Sequence, residues 1–228
     1  MSGTLYIIAT PIGNLEDITL RAIKILSEAD IILAEDTRIT KKLLDFLSAN
    51  HKLPLKYTVS YHQHSSDQKK LEIYGYLSEG KNVALVTDAG TPGISDPGNE
   101  LVDFILKIDN QIPIVPIPGP SAIITTLSIC GFNINKFIFL GFWPKKKVTK
   151  LIGLLKLINL PFAFYESPYR ILKTLKVIED NFDIGTEIFV ARELTKMYES
   201  VYRGTISEVN EKLKKDKVKG EIVVVVNV

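Results

Sequence analysis

The sequence predicts an α/β fold, a largely parallel sheet with helices on its faces. Short, almost unbroken apolar runs alternate along the chain with segments whose apolar residues recur at helical spacing. Glycine- and proline-rich loops follow several of the runs, and ligands of open α/β sheets gather beyond the carboxyl ends of the strands.

Leu5-Tyr6-Ile7-Ile8-Ala9 reads as a buried strand that stops at the tight loop Thr10-Pro11-Ile12-Gly13-Asn14. Leu20, Ile23 and Leu26 then recur at helical spacing behind Asp17 and Thr19, both suited to capping, and the pattern ends near Asp30. Ile31 to Ala34 forms the next strand, and Leu43, Leu44 and Leu47 continue a helical face after Thr40. Ser65-Ser66-Asp67-Gln68 offers a capping box for a helix carrying Leu71, Tyr74 and Leu77, which Gly80 stops. Val83 to Val86 is a further strand, followed by the loop Asp88 to Gly98, a helix through Leu101, Phe104 and Ile105, and the strand Ile114 to Ile117.

Pro113, Pro116, Pro118 and Pro120 crowd around Gly119, which sets the expected division into an N-terminal α/β domain, 1–117, and a C-terminal α/β domain, 118–228. After Ser121 an apolar helix runs to Ile129, then Phe137 to Phe142 forms a strand that ends in the exposed basic turn Lys145-Lys146-Lys147. Pro161 to Tyr165 is a strand, and Pro168 suits the first turn of a helix carrying Ile171, Leu172 and Leu175. Ile188 to Ala191 and Ile222 to Val226 are further strands, with a charged helix around Val209 to Leu213 between them.

A hydrophobic content of 46% over 228 residues permits one large core or two smaller ones. The charged and aromatic fractions, 24% and 9%, argue against extensive disorder. A net charge of +2 suits an anionic partner but falls far short of a nucleic-acid coat protein. The single cysteine, Cys130, excludes an intrachain disulfide and fits a reducing cytoplasm. The start carries no signal-peptide pattern, and apolar stretches such as Phe137 to Trp143 are far shorter than the roughly 20 residues of a membrane helix, so no membrane association is expected.

Among the loops, Thr10 to Asn14 lies where a dinucleotide fold places its phosphate loop but lacks the G-x-G-x-x-G spacing. Asp88 to Gly98 holds three glycines and two prolines, a composition that lets rigid, bare backbone approach a ligand. Asp88 and Asp96 add acceptors for ribose hydroxyls or a cationic amine, which disfavours a nucleoside triphosphate. Glu35-Asp36-Thr37-Arg38 emerges at the end of the second strand; taken locally it reads as a capped helix start. His62 and His64 share one side of an extended segment with no cysteine or carboxylate at ligand spacing, so no metal site is expected. Tyr165 to Arg170 and Ala191 to Lys196 each put charges directly after a strand, with Arg170, Arg192 and Lys196 available to phosphates.

In order and spacing, the segments 9–15, 34–38, 88–98, 116–122, 164–170 and 191–196 resemble the bacterial small-subunit (16S) ribosomal RNA cytidine 2′-O-methyltransferases of the tetrapyrrole methylase superfamily. The resemblance runs from Gly3 to the strand that begins at Lys219-Gly220-Glu221-Ile222. It implies a two-domain, tetrapyrrole-methylase-like (class III methyltransferase) fold that binds S-adenosylmethionine in a cleft between domains, as a homodimer acting on ribosomal RNA within the small subunit. The donor would meet Pro11, Ile12 and Gly13 in the first loop and Ala89, Gly90 and Thr91 in the second, supported by Asp88. Ser121 and Ala122 would line the third loop, and Glu166 and Leu194 fall at donor-contacting positions of the second domain. This chain departs from many relatives at Ser65-Ser66, where Asn-Glu is common, and at Tyr169, where histidine is common. Some relatives also continue beyond the last strand, so RNA affinity is expected to rest on the core, a dimer or the assembled subunit.

A methyl on sulfonium is electrophilic, so the chief demand is to hold the ribose oxygen in line behind it. Glu35, Asp36 and Glu193 are the candidate bases, and Arg38, His62, Arg170, Arg192 and Lys196 the candidate contacts to RNA. The alternatives are a tetrapyrrole or other small-molecule methylase of the same fold, and a non-catalytic ribosome-binding module.

Overall fold

The computed structural model describes residues 2–216 and 218–228. The chain divides into two compact units, Met1–Ser121 and Ala122–Val228.

In the first unit β1 (Leu5–Ile8), β2 (Ile31–Ala34), β3 (Tyr57–Ser60), β4 (Val83–Val86) and β5 (Ile114–Ile117) form one five-stranded sheet in the order β3-β2-β4-β1-β5. Every pairing is parallel. Helices α1 (Leu20–Glu28), α2 (Thr37–His51), α3 (Asp67–Ser78) and α4 (Asn99–Ile108) cover its faces. Side chains alternate across a strand, so β2 and β4 feed two cores at once. Ile32, Ala34, Ala84 and Val86 pack with Ala22 and Leu26 of α1 and Leu43 and Leu47 of α2. Ile31, Leu33, Val83 and Leu85 pack with Ile73 and Leu77 of α3 and Leu101 and Ile105 of α4. Burial on both faces is why these runs are unbroken rather than alternating in sequence, and each full-sized apolar side chain contributes roughly 1.5–3 kcal/mol. Ala34 pairs with Val86, Ile7 with Leu85 and Ile8 with Ile117, so the strands end level and their following loops share one rim.

The second unit comprises α5 (Ala122–Cys130), β6 (Ile138–Phe142), α6 (Val148–Ile158), β7 (Phe162–Glu166), α7 (Ile171–Glu179), β8 (Glu187–Arg192), β9 (Ser200–Thr205), α8 (Ile206–Lys215) and β10 (Ile222–Asn227). Its sheet order is β6-β7-β10-β8-β9. Here the expectation of a largely parallel sheet is corrected: β6 and β7 are parallel, whereas β10 runs antiparallel to β7 and β8, and β8 antiparallel to β9. The cause is connection length, because residues 193–199 turn β8 straight into β9 and leave no room for the crossover that parallel neighbours need. Phe162, Phe164, Val190 and Val224 pack on one face of this sheet with Leu155 of α6, Leu175 of α7 and Val209 and Leu213 of α8.

Several local expectations are also corrected. Helix α2 begins at Thr37, before Thr40, because the Asp36 carboxylate accepts from the Arg38 N–H and caps it. The capping box at Ser65–Gln68 does not form; Ser66 caps α3 by accepting from the Lys69 N–H, and the Ser65 hydroxyl accepts from the His62 N–H instead. Leu20 and Leu71 face solvent at 81% and 52% exposure, and the buried stripes run through Ala22 with Leu26 and Ile73 with Leu77. Pro168 lies before α7, in the turn that ends at Arg170. The edge strands β3 and β9 and the helix α6 have no counterpart in the sequence reading. Among the described residues no helix is long and apolar enough to cross a membrane.

Candidate active site

The rim of the first unit is built by three loops tied together through backbone. Thr10 and Gly90 exchange both N–H···O bonds, at 2.9 and 3.0 Å, joining the loop after β1 to the loop after β4. The Thr10 hydroxyl donates to the Thr87 carbonyl at 3.0 Å, and the Thr91 hydroxyl donates to the Pro120 carbonyl at 3.2 Å, which brings in the loop after β5. Gly90 has φ +79°, a conformation that favours glycine, and both of its backbone polar groups are fixed by Thr10. Close approach also explains Gly119, where an added Cβ would stand 3.1 Å from that of Ala9.

Pro11 and Ile12 are buried beneath this surface and Gly13 is exposed on it. Asp88, Ala89 and Thr91 are half-buried, as are Ser121 and Ala122. Thr87 Oγ1 is buried and has no hydrogen-bond partner among the described residues. An unused buried hydroxyl beside bare, fixed backbone is a cradle with polar capacity left for a ligand.

The acids are arranged as a clasp. The Asp88 N–H donates to Glu35 Oε2 at 3.2 Å, and Asp88 Oδ1 accepts from the Asp36 N–H at 3.0 Å. Burial pushes the Glu35 carboxyl above its ordinary value against the opposing pull of the Asp88 N–H, the charges of Asp88 and Asp36 push the same way, and that of His62 pulls it back. Burial likewise raises Asp88. Asp36 goes the other way, to about 2, because the Arg38 guanidinium and backbone N–H both donate to it. Arg38 is exposed, and its 2.6 Å ion pair with Asp36 holds it on the rim. His62 is exposed too, and its Nδ1 accepts from the His64 N–H at 3.2 Å. This surface is rich in acceptors and also carries Arg38, an acceptor set that suits a cationic ligand with ribose hydroxyls rather than a polyphosphate.

In the second unit the predicted residues are mostly committed to one another. Glu166 is 3% exposed; its Oε1 accepts from the Ser167 N–H at 2.8 Å and its Oε2 from the Thr174 hydroxyl at 2.6 Å, with the Arg170 guanidinium 3.5 Å away. Arg170 also donates to the Trp143 and Pro144 carbonyls. Arg192 donates to the Ser200 hydroxyl and to the Lys219 and Tyr198 carbonyls. Leu194 is buried between Glu193 and Thr195, both at positive φ. Glu193 Oε1 accepts from Lys196 Nζ at 3.0 Å and from the Glu221 N–H at 2.9 Å. Burial alone would raise Glu193, but the Glu221 N–H and the Lys196 ammonium outweigh it and hold the carboxyl below its ordinary value.

Thr10, Thr87 and Thr174 escaped the sequence reading as functional positions. Thr174 had a usable signal, a lone hydroxyl on the stripe Ile171, Leu175, Ile178 that packs inward. Thr87 had none, since it reads as the end of an apolar strand.

Two α/β units of these topologies, the first with its acid-lined rim, define the class III methyltransferase fold. Among solved structures, the cobalt precorrin-4 methyltransferase CbiF aligns over 98% of this chain and 94% of its own with a TM-score of 0.71 at 19% identity. The uroporphyrin-III C-methyltransferase of Thermus thermophilus, complexed with S-adenyl homocysteine, aligns over 98% and 97% with a TM-score of 0.65 at 17% identity. The tetrapyrrole (corrin/porphyrin) methylases match residues 4–210, and the chain belongs to that family. Within it, the ribosomal RNA small subunit methyltransferase I of Thermotoga maritima is 46% identical over 227 residues, 99% of this chain and 98% of its own length. The protein of the same name from Bacillus subtilis is 44% identical over 226 residues, 98% of this chain and 75% of its length.

Proposed function

We propose that this protein is an S-adenosylmethionine-dependent methyltransferase of small-subunit ribosomal RNA, and that it methylates the 2′-oxygen of a cytidine ribose. The names of its full-length relatives support the RNA. The observation that carries the chemistry is the rim of the first unit, where Glu35, its carboxyl raised by burial, stands clasped to Asp88 beside the bare backbone of Gly90.

S-adenosylmethionine supplies an electrophilic methyl carbon on a positively charged sulfur. Pro11 to Gly13 and Ala89 to Thr91 bind it through backbone and small side chains, Asp88 orients the loop, and Ser121 and Ala122 add contacts where the chain passes from the first unit to the second. Buried Leu194 offers apolar contact in the second unit, and Glu166 acts there by fixing the turn at Ser167. Glu35 takes the ribose hydroxyl proton. A general base works best with a pKa near the operating pH, which favours Glu35 over Asp36 and Glu193, whose oxygens are committed and whose basicity is depressed. Arg38 and His62 face solvent on the same rim and contact the RNA. The proposed working form is a cytoplasmic homodimer acting on the small subunit.

The test is to incubate the full chain with labelled S-adenosylmethionine and small ribosomal subunits that lack the modification, then map the methylated position. A single 2′-O-methylcytidine is the expected result. Label on a base, or transfer to a tetrapyrrole and not to the subunit, overturns the reading.

A further inference from the structure

A cationic feature of the second unit extends from Arg170, the last residue of the strand-end cluster after β7, to lysines outside the clusters already described. A groove of about 540 Å³ opens between α6 and α7, walled by Lys145, Thr149, Arg170 and Lys173 and floored by Trp143 and Ile152. No carboxylate lines it. The side chains of Lys145 and Lys173 form no ion pair or hydrogen bond with any described residue, and the same holds for the side chains of Lys146, Lys147 and Lys150, which follow Lys145 in sequence. The contrast within α7 is direct: Lys176, one turn after Lys173, pairs with Glu179 at 3.1 Å and Asp180 at 2.9 Å. Helical lysines of this chain commonly pair with an acid three or four residues away, as Lys24, Lys69 and Lys107 do. Among the described residues around the groove, Arg170 has such a partner, Glu166 at 3.5 Å, whereas Lys145 and Lys173 have none.

The backbone adds to the same field. Helices α6 and α7 start after parallel neighbours β6 and β7, so both present their N-termini at one edge of the sheet. Their N-cap residues, Lys147 and Arg170, make no side-chain capping bond, which leaves the positive ends of two helix dipoles without an acidic cap beside the lysines. Arg170 cannot swing away, because the Trp143 and Pro144 carbonyls hold its guanidinium against the wall. A wall of fixed and mobile cations over an apolar floor, longer than one small anion, suits consecutive phosphates of a polynucleotide. A lipid surface suits it less: the exposed Leu154 and Leu157 stand roughly 200° and 140° around α6 from Ile152, off the groove side.

We propose that this groove seats the phosphodiester backbone of the RNA, with Lys145 and Lys173 each neutralising a phosphate. The proposal rests on the reading that RNA is the substrate. It also reassigns the phosphate contacts of the second unit, since Arg192 and Lys196 are engaged internally while Lys145 and Lys173 are free.

The test compares the full-length protein with K145Q/K173Q and with the control K107Q/K214Q, which removes the same charge from exposed helical pairs elsewhere. Binding of deproteinised small-subunit ribosomal RNA is measured by filter retention over a salt series, and methyl transfer to unmodified small subunits is measured alongside. Two lost phosphate contacts reduce the slope of log affinity against log salt by about 2, and KM for subunits rises roughly tenfold near 0.1 M salt. Maximal rate and the affinity for S-adenosylmethionine stay at the parental values, because contacts made equally in ground and transition states act on KM. A parental slope and KM in K145Q/K173Q, or an equal loss in the control, overturns the proposal. If the parent transfers no methyl group but the groove variant alone loses RNA binding, the methylation reading falls and the groove stands. If RNA binding is unchanged while the parent methylates normally, the groove falls alone. Retention of the parent, but not K145Q/K173Q, on phosphatidylserine vesicles with RNA binding intact overturns it in favour of a membrane.

Discussion

Glu35 accepts the backbone N–H of Asp88 at 3.2 Å, so the more buried of the two raised acids on the rim is held by the main chain of the other. The bond fixes Glu35 without neutralising it, since a peptide N–H carries no net charge. Asp36, next in sequence, is by contrast tied to a guanidinium and to the start of a helix. Neighbouring carboxylates therefore leave the same strand end with opposite basicities, one suited to taking a proton and one to staying ionised.

Glu35→Gln separates the proton-accepting role from the clasp, because the amide oxygen still accepts from Asp88. General-base catalysis is worth roughly 10²–10⁴-fold, so kcat falls within that range while affinity for S-adenosylmethionine persists. The sign of the pH dependence follows from ionisation: the base acts as carboxylate, its pKa lies above the ordinary 4.5, and the parental rate falls as pH drops through that raised value. The variant loses this acidic limb. A kcat within about threefold of the parent, with the limb intact, would remove Glu35 as base.

Gly90→Ala tests the cradle. Its Cβ would meet Ile12 Cγ2 at 3.5 Å, an ordinary contact, so packing is not the obstacle. The obstacle is φ +79°, which the loop cannot relax without breaking both bonds to Thr10. A left-handed conformation costs a residue with a Cβ about 1–2 kcal/mol. Part of that cost appears as a lower melting temperature, and part as donor affinity weakened about tenfold in titration calorimetry, the equivalent of about 1.4 kcal/mol. Unchanged affinity would show that the backbone conformation of Gly90 has no part in donor binding.

The first unit was readable because its sheet is buried on both faces: β1, β2 and β4 appear as unbroken apolar runs, and the bare loops follow at once. The edge strand β3 was not, since Tyr57, Thr58 and Ser60 look like loop when a strand has one neighbour and faces water. The polar run Ser200 to Thr205 hid β9 for the same reason, and with it the antiparallel character of the second sheet. Of the rim, the residue types at Glu35, Asp36 and Asp88 were legible, but not their division of labour. That division depends on which N–H each oxygen meets across strands more than 50 residues apart in sequence.

Thr174→Val probes the hidden partner of Glu166. The substitution keeps side-chain volume in a buried stripe and removes the 2.6 Å bond to Oε2, leaving a 3%-exposed carboxylate short of a donor. Hydrogen bonds to charged groups contribute about 1.5–3 kcal/mol, and urea unfolding of the variant falls by that amount. Thr174→Ser keeps the hydroxyl and stays nearer the parent. A Thr174→Val protein that unfolds like the parent would show that the bond to Glu166 contributes nothing to stability.

Arg38 and Arg192 stood together in the sequence as phosphate contacts, and the bonds they make in the structure differ. Arg192 braces β8 through the Ser200 hydroxyl and the Lys219 and Tyr198 carbonyls, so Arg192→Ala releases three acceptors that close the turns on both sides. Its expected effect is a loss of stability of about 1–2 kcal/mol with the salt dependence of RNA binding unchanged. Arg38 has Asp36 as its partner and is open to solvent, and an exposed pair of this kind contributes little to folding. Arg38→Ala therefore melts close to the parent, while the slope of log affinity against log salt drops by about 1 for one lost phosphate contact. The pair of variants reads out on orthogonal axes, melting for Arg192 and salt slope for Arg38. An Arg192→Ala protein that melts like the parent but binds RNA with a shallower salt dependence would return Arg192 to the RNA surface and make its three internal bonds incidental.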